Sequence, residues 1–326
     1  MLAFALRRFV ISLPVILGAT LVVFVMVALT GNPVDNMRLL NPPPPDHAIK
    51  AEEIRLHLDQ PLLTRYWLWL SGLVTGDWGP AVDRHLDIGA EVFSGFAVTF
   101  RLVLVAMLVA LVLAVVIGVI SAVKQYTATD YTATFFGFLF LAMPSFWLAV
   151  LLKEAGVFAN QNLGAQIFYT VGERSVVVTG GAWDKIMDAL GHMILPTVAL
   201  AMITFASWSR YQRASMLEVL NSDYVRLARA KGLRWRTVMT RHALRTALIP
   251  LTTVTAMDLS GIIGGAVVTE TIFQWRGAGR LLLDAIRTKD IHLVMAWLLV
   301  AAVVVIVFNL LADLLYARLD PRIRHD

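Results

Sequence analysis

The sequence predicts an all-α integral membrane protein with six transmembrane helices and an extracytoplasmic helical insertion between helices 1 and 2. Composition is the first reason. The chain of 326 residues is 58% hydrophobic and only 16% charged, with mean hydropathy +0.70, whereas soluble domains carry about a quarter charged residues. Grouping is the second. Six apolar runs stand out, Phe9–Thr30, Leu102–Val123, Thr132–Val157, His192–Ser209, Leu248–Thr269 and Leu293–Tyr316, each long enough for a core of about 30 Å at roughly 1.5 Å per residue. Third, the basic residues sit in short segments between those runs rather than on one soluble face. That distribution excludes nucleic acid as the reason for the net charge of +5.

The first run follows Arg7 and Arg8. A secretory signal has an apolar region of only about 7–15 residues before its cleavage site, so a retained first span is expected over 1–31. Residues 32–96 form the insertion. Asn41-Pro42-Pro43-Pro44-Pro45 reads as a stiff polyproline spacer. After it Ala48, Ile49, Glu52, Ile54, Leu56 and Leu58 suggest an amphipathic helix, stopped by Gln60-Pro61. Leu62–Leu73 suggests another, whose Tyr66, Trp67 and Trp69 belong either to an interfacial belt or to a surface for an external partner. Gly76-Asp77-Trp78-Gly79 is a turn.

The membrane domain is expected over 97–313. Its third run contains Met143-Pro144-Ser145-Phe146-Trp147, where a proline removes a backbone hydrogen bond and kinks the helix. Pro144 and Ser145 are read as a pivot beside a translocation path, or as ordinary helix packing. Asn160–Leu190 is a second external loop, in which the β-branched stretch Phe168–Thr179 before Gly180-Gly181 allows a short hairpin. Pro196 and Pro250 lie near span starts and disturb less. In the fifth run Gly261, Gly264 and Gly265 permit close helix approach, and Asp258 lies one turn earlier. An acid within a span faces a cavity more often than lipid. Asp258 would pair with substrate amines, relay protons, or satisfy a hydroxyl such as that of Thr255. Asp313 reads as a packing or snorkelling acid. Past the fifth run, Trp275–Arg280 is a turn into an outer helix, Leu281–Arg287.

Between the fourth and fifth runs lies a polar elbow, 214–246, crowded with Arg226, Arg229, Lys231, Arg234, Arg236, Arg241 and Arg245. Leu220, Tyr224, Leu227, Ala228 and Lys231 suit a helix with a narrow apolar stripe and a basic back. Gly232 stops it, because glycine enters the left-handed conformation without a Cβ penalty. Trp235, Val238, Met239, His242 and Leu244 then outline a second short helix at a new angle. Lysine and arginine bias among the short loops places the elbow, both termini and the 314–326 tail on the cytoplasmic side. Such an elbow is a handle for another protein.

Several chemistries find no support. No GxxxxGK[ST] stretch occurs to cradle ATP phosphates. There is no cysteine, the histidines form no close metal-ligand pair, and nothing singles out a serine nucleophile with its base and orienting acid. The chain reads as a non-enzyme without a cofactor of its own.

Taken together, Arg7-Arg8 with the first span, Asp77-Trp78-Gly79, Met143–Trp147, Ile194-Leu195-Pro196, Tyr224–Gly232, His242–Arg245, Glu270-Thr271-Ile272-Phe273 and Leu319-Asp320-Pro321-Arg322 resemble the inner-membrane permeases of dipeptide/oligopeptide ABC importers, over essentially the whole chain. The resemblance implies the type I importer permease fold in a bacterial cytoplasmic membrane. It also implies a second permease of the same family, two cytoplasmic ATPase subunits or domains that hold ATP and magnesium, and an extracytoplasmic solute-binding protein. In the wider family the elbow carries Glu-Ala-Ala, three residues and Gly, then Ile-x-Leu-Pro. Aligned on Gly232, Arg226, Leu227 and Ala228 take the first three positions, and His242, Leu244 and Arg245 the last set. A basic elbow, with Tyr224, Arg226, Ala228, Arg229, Lys231 and Gly232 as its coupling residues, is therefore expected to seek acidic groups or helix C-termini in an ATPase cleft. Peptides are the expected cargo. Nickel, glutathione or haem fit the same architecture, and a proton-coupled carrier using Asp258 and Asp313 is the competing mechanism.

Overall fold

The computed structural model describes the backbone of residues 2–319 and the side chains of residues 10–258 and 266–310. Among these residues every regular element is helical: α1 (Leu2–Leu29), α2 (Asp35–Arg38), α3 (Asp46–Arg55), α4 (Leu62–Thr75), α5 (Ile88–Val123), α6 (Ala128–Ala142), α7 (Ser145–Leu163), α8 (Ala182–Leu220), α9 (Asp223–Ala230), α10 (Trp235–Thr237), a π-helical turn (Val238–Ala243), α11 (Leu244–Phe273), α12 (Ala278–Thr288) and α13 (Ile291–Leu319). Every apolar run of the sequence but the third falls on a single helix. Among the described residues four helices, α1, α5, α8 and α13, are long and apolar enough to cross a membrane, and α6 with α7 make a fifth crossing if taken as one bent span. α11 covers the remaining run, 244–273, with Pro250 inside it.

One expectation at this level is corrected. The third run is broken at Met143-Pro144, not kinked, and α6 and α7 diverge by 108°. Met143 is extended at φ −74°, ψ 130°, and Pro144 at φ −59°, ψ 137°. A proline ring disfavours the helical conformation of the residue before it as well as removing its own N–H, so two adjacent residues leave the helix. Pro196 and Pro250, by contrast, stay inside α8 and α11.

The chain divides into two compact units. The first comprises Met1–Val98 with Arg276–Leu310. Its core gathers Ile88, Val92 and Phe96 of α5 with Ala278 and Ala285 of α12 and Leu293, Val294 and Val300 of α13. The Trp297 indole donates to the Ala278 carbonyl at 2.7 Å. The open question about the insertion aromatics resolves as packing for two of them. Tyr66 meets Phe24 of α1 edge-on with ring centroids 5.4 Å apart, and its hydroxyl lies 2.9 Å from that of Thr20. Trp69 is buried, while Trp67 is exposed. α3 ends at Arg55, before the expected stop, because His57 adopts a left-handed φ of 57° and Leu58 N–H returns to the Glu53 carbonyl at 2.8 Å. Gly79, at φ +86°, is obligatory on two counts, since a Cβ there would fall 2.3 Å from the His292 ring.

The insertion is held by Glu52, whose oxygens accept the Nε–H groups of Arg55 at 3.0 Å and Arg84 at 3.2 Å. Arg55 also donates to the Ala81 carbonyl at 2.7 Å. The Arg55 hydrogen bond, reinforced by Arg84 and opposed by burial, lowers the Glu52 pKa below its ordinary 4.5. A depressed carboxylate contributes stability that is complete above the unfolded pKa and is lost as pH falls through the folded value. Amide-exchange protection over 46–56 is therefore expected to hold from neutral pH to about pH 5 and to decline in more acidic solution. In Glu52→Gln it is expected to lie at every pH near the level that the wild type reaches in acid, with the acid step gone. Equal, undiminished protection of the wild type at acid and neutral pH would contradict this.

The second unit is built on Thr99–Trp275. α8 is its axis. Phe205 and Trp208 of α8 are buried with Val103, Met107, Ala110 and Ala114 of α5 and with Leu251 and Ala266 of α11. At one end Asp130 in the first turn of α6, only 3% exposed, accepts two hydrogen bonds from Arg213 of α8, both at 2.8 Å. Tyr126 N–H, at 3.0 Å, and the Ser121 hydroxyl complete the carboxylate's shell. One side chain thus fastens the end of α5, the turn after it, α6 and α8. At the other end the stretch 168–179 forms no hairpin. Asn160 Oδ1 accepts Ile167 and Phe168 N–H at 2.9 Å, Ser175 donates its N–H and hydroxyl to Asp188, and Tyr169 stacks on His192 with centroids 4.1 Å apart. β-branched residues gain nothing from extension without a neighbouring strand to pair, and these side-chain contacts satisfy the backbone instead.

Candidate functional site

The elbow is set by two chain reversals. α8 ends at Leu220, Ser222 is extended at φ −72°, ψ 153°, and α9 begins at Asp223. At its far end Gly232 adopts φ +76°. Gly232 N–H donates to the Arg229 carbonyl at 2.9 Å, and Leu233 N–H to the Ala228 carbonyl at 3.4 Å. This paired arrangement is a Schellman stop, which satisfies the orphan carbonyls of α9 only if the residue at the turn is left-handed. α10 and the π-helical turn Val238–Ala243 then lead directly into α11. Two long helices, α8 and α11, are thereby joined through one short corner.

Burial sorts the elbow residues into two faces. Val225 and Ala228 of α9 and Val238 and Ala243 of the π turn are buried with Ala122 of α5, Met216 and Val219 of α8 and Ala247 of α11. Of the expected stripe Leu220, Tyr224, Leu227, Ala228 and Lys231, only Ala228 and, in part, Leu220 pack into this seat. Tyr224 and Leu227 are 43% and 56% exposed, with Leu233 and Trp235 beside them, and Lys231 is exposed. The physical reason is the size of the seat, which small and β-branched side chains fill, leaving the longer apolar ones outside. Arg226, Arg229, Arg234 and Arg236 are exposed on the same outer side. Arg226 pairs with Asp223, an exposed pair worth little, and the Arg229 guanidinium lies 4.2 Å over the Trp235 ring across the Gly232 turn. The exposed side of the elbow thus carries both arginines and large apolar side chains over a packed seat.

Of the coupling residues expected from sequence, Tyr224, Arg226, Arg229 and Lys231 lie on this exposed side. Gly232 shapes the corner, and Ala228 belongs to the buried seat. Val225, fully buried, was not singled out, and only its i, i+3 spacing to Ala228 hinted at it. The path residues are distributed over two elements. Pro144 and Ser145 mark the α6–α7 break. Asp258 of α11 accepts the Trp208 indole N–H at 2.7 Å, whereas the Thr255 hydroxyl turns to the Leu251 carbonyl at 2.7 Å. Asp258 therefore has a structural partner, though not the one expected. Gly261 and Gly264 lie within the helical backbone of α11, in the stretch 259–265 whose surroundings fall outside the described side chains, as does Asp313. Among the described residues no group of three His, Asp or Glu side chains converges as a metal ion would require.

A helical membrane core in which two long helices are joined through a short, basic, exposed corner defines the chain as a transport-system membrane subunit. The family described as "Binding-protein-dependent transport system inner membrane component" matches residues 114–325, the region that holds every candidate residue, and the chain belongs to that family. It is 38% identical over 318 residues to the oligopeptide transport system permease protein OppB of Mycobacterium tuberculosis (strain ATCC 25618 / H37Rv), covering 98% of each. It is 36% identical over 340 residues to the dipeptide transport system permease protein DppB of Escherichia coli (strain K12), covering 100% of this chain and 99% of the other. Among solved structures, a chain of the MetNI methionine ABC transporter in inward-facing conformations aligns with TM-score 0.55 at 15% identity, over 70% of this chain and 96% of that one. An amino acid ABC transporter with histidines aligns with TM-score 0.51 at 13% identity, over 71% and 94%. The fold is that of type I ABC importer permeases.

Proposed function

We propose that this chain is the permease subunit of an ATP-driven, binding-protein-dependent importer of dipeptides or oligopeptides. It forms half of the translocation pathway, the other half being a second permease of the family, and it is multi-pass with both termini in the cytoplasm. Two ATPase subunits or domains grip the elbow from the cytoplasm, and a solute-binding protein delivers cargo from outside. The observation that carries this reading is the two-faced elbow: a buried seat that transmits force to α8 and α11, and an exposed side that carries Tyr224, Leu227 and Trp235 together with arginines. A surface both apolar and basic fits a groove both apolar and acidic. The cargo follows from the relatives, which are named for oligopeptides and dipeptides.

In this mechanism closure of the ATPases moves the elbow as a rigid body. The corner passes the displacement to α8 and α11, and the α6–α7 break at Pro144 and Ser145 absorbs it. Asp258, Gly261 and Gly264 lie along the helix that then repacks beside the path. The chain supplies no hydrolytic chemistry, only a mechanical link and half a conduit. Proteoliposomes containing the whole assembly and its binding protein are expected to accumulate peptide only with ATP, and vesicles containing this chain alone not at all. A cysteine placed at Lys231 is expected to react with an impermeant reagent only from the cytoplasmic side. Uptake by the chain alone, driven by a pH gradient, would overturn the proposal in favour of a secondary carrier.

A further inference from the structure

A cavity of about 450 Å³ opens on the second unit between α6 and α8, lined by Thr134, Phe138, Ser207, Arg210, Tyr211 and Arg213 among others. It lies where the apolar run of α8 ends at Ser209 and the arginines that follow it begin. Charge in this cavity is unbalanced. Arg213 is neutralised by Asp130, but among the described residues Arg210 has no carboxylate partner, and the hydroxyls of Thr134, Ser207 and Tyr211 make no hydrogen bond. Arg210 is also oriented. Its guanidinium lies 4.6 Å over the Phe138 ring, a cation–π contact that fixes the plane and leaves the N–H edge available. A fork held side-on and flanked by three uncommitted hydroxyls is a receptor for a tetrahedral oxyanion, which arginine binds bidentately.

The surroundings identify which oxyanion. Phe135, Phe138 and Leu141, at helical i, i+3, i+6 spacing along α6, are 62%, 51% and 45% exposed. This apolar strip runs from the cavity along α6 into the depth of the apolar run. A ligand that fills both features has an anionic head and a hydrocarbon tail. We propose that this cavity binds the phosphodiester headgroup of an anionic phospholipid, with Arg210 as the principal ligand and an acyl chain along α6. Basic pockets between spanning helices at the cytoplasmic surface are suited to such headgroups. The assignment to the inner leaflet rests on the topology proposed above. A small peptide carboxylate would satisfy Arg210 but leave the strip bare.

The test is native mass spectrometry of the full-length chain, with the subunits that copurify with it, in detergent micelles titrated with phosphatidylglycerol or phosphatidylcholine. Micelles have no sidedness, so the result judges the cavity independently of topology and transport, which Lys231 labelling and peptide uptake judge. The wild type is expected to retain phosphatidylglycerol in preference to phosphatidylcholine. Arg210→Gln is expected to lower that retention about tenfold, as loss of a charged hydrogen-bond donor does. Tyr211→Phe, which removes only a hydroxyl, has a smaller effect in the same direction. Unchanged retention in Arg210→Gln, equal retention of the two lipids, or displacement of bound lipid by a dipeptide or by inorganic phosphate at equal concentration would each overturn the proposal.

Discussion

Gly232→Pro is expected to reduce peptide-stimulated ATP hydrolysis by the assembled transporter to its unstimulated level, while the protein still inserts in normal amount. Proline fixes φ near −65°, against the observed +76°, and its missing N–H deletes the bond to the Arg229 carbonyl. The Schellman stop cannot form, so the chain leaves α9 in another direction. The Arg229–Trp235 contact is lost with it, and the outer face ceases to be a single surface. The cost is backbone strain at an incompatible φ, confined to the corner because a Cβ at Gly232 meets no atom within 4 Å. Gly232→Asn, which tolerates the left-handed region, is expected to keep most of the stimulation. Ala228→Asp reaches the same end from the other side, by forcing a carboxylate into the seat of Val225, Val238 and Ala243. Normal stimulated hydrolysis in Gly232→Pro would remove the elbow from the coupling mechanism.

The largest expected loss of stability follows from Asp130→Asn. The neutral amide leaves the Arg213 guanidinium without its counter-charge at a site where Asp130 is 3% exposed. Arg213 is 29% exposed, so breaking the pair from one side is expected to cost about 3 kcal/mol, the lower end for a buried pair, on the order of a 10 °C fall in melting temperature for a domain of this size. Replacing both partners, Asp130→Leu with Arg213→Met, is expected to recover most of the loss, because neither charge is then stranded. The measurement is thermal unfolding in detergent for the wild type, the two single variants and the double variant. Equal melting of Asp130→Asn and wild type would show that the pair carries no net stability.

Much of the fold was legible in the order of residue types, since hydropathy and turn chemistry act over a few residues. The apolar runs at 9–30, 102–123, 192–209 and 293–316 each became part of a long helix, and Gly232 ended α9 as its freedom at positive φ required. α5 and α8 nevertheless run well beyond their apolar runs. Hydropathy marks only the part of a helix that suits lipid, and the backbone continues into water wherever packing supports it.

What the chain's own order determined is therefore the set of helices, their apolar extents and the position of the basic corner, because each depends on neighbours within one or two turns. Which side of that corner is buried was decided only by tertiary structure. So were the partner of Asp258 and the clasp of Arg213 on Asp130. Those outcomes depend on contacts between residues tens of positions apart, and on the shape of the seat that opposing helices leave. A periodic pattern states that a helix has an apolar side, but its partner decides which apolar side chains fit.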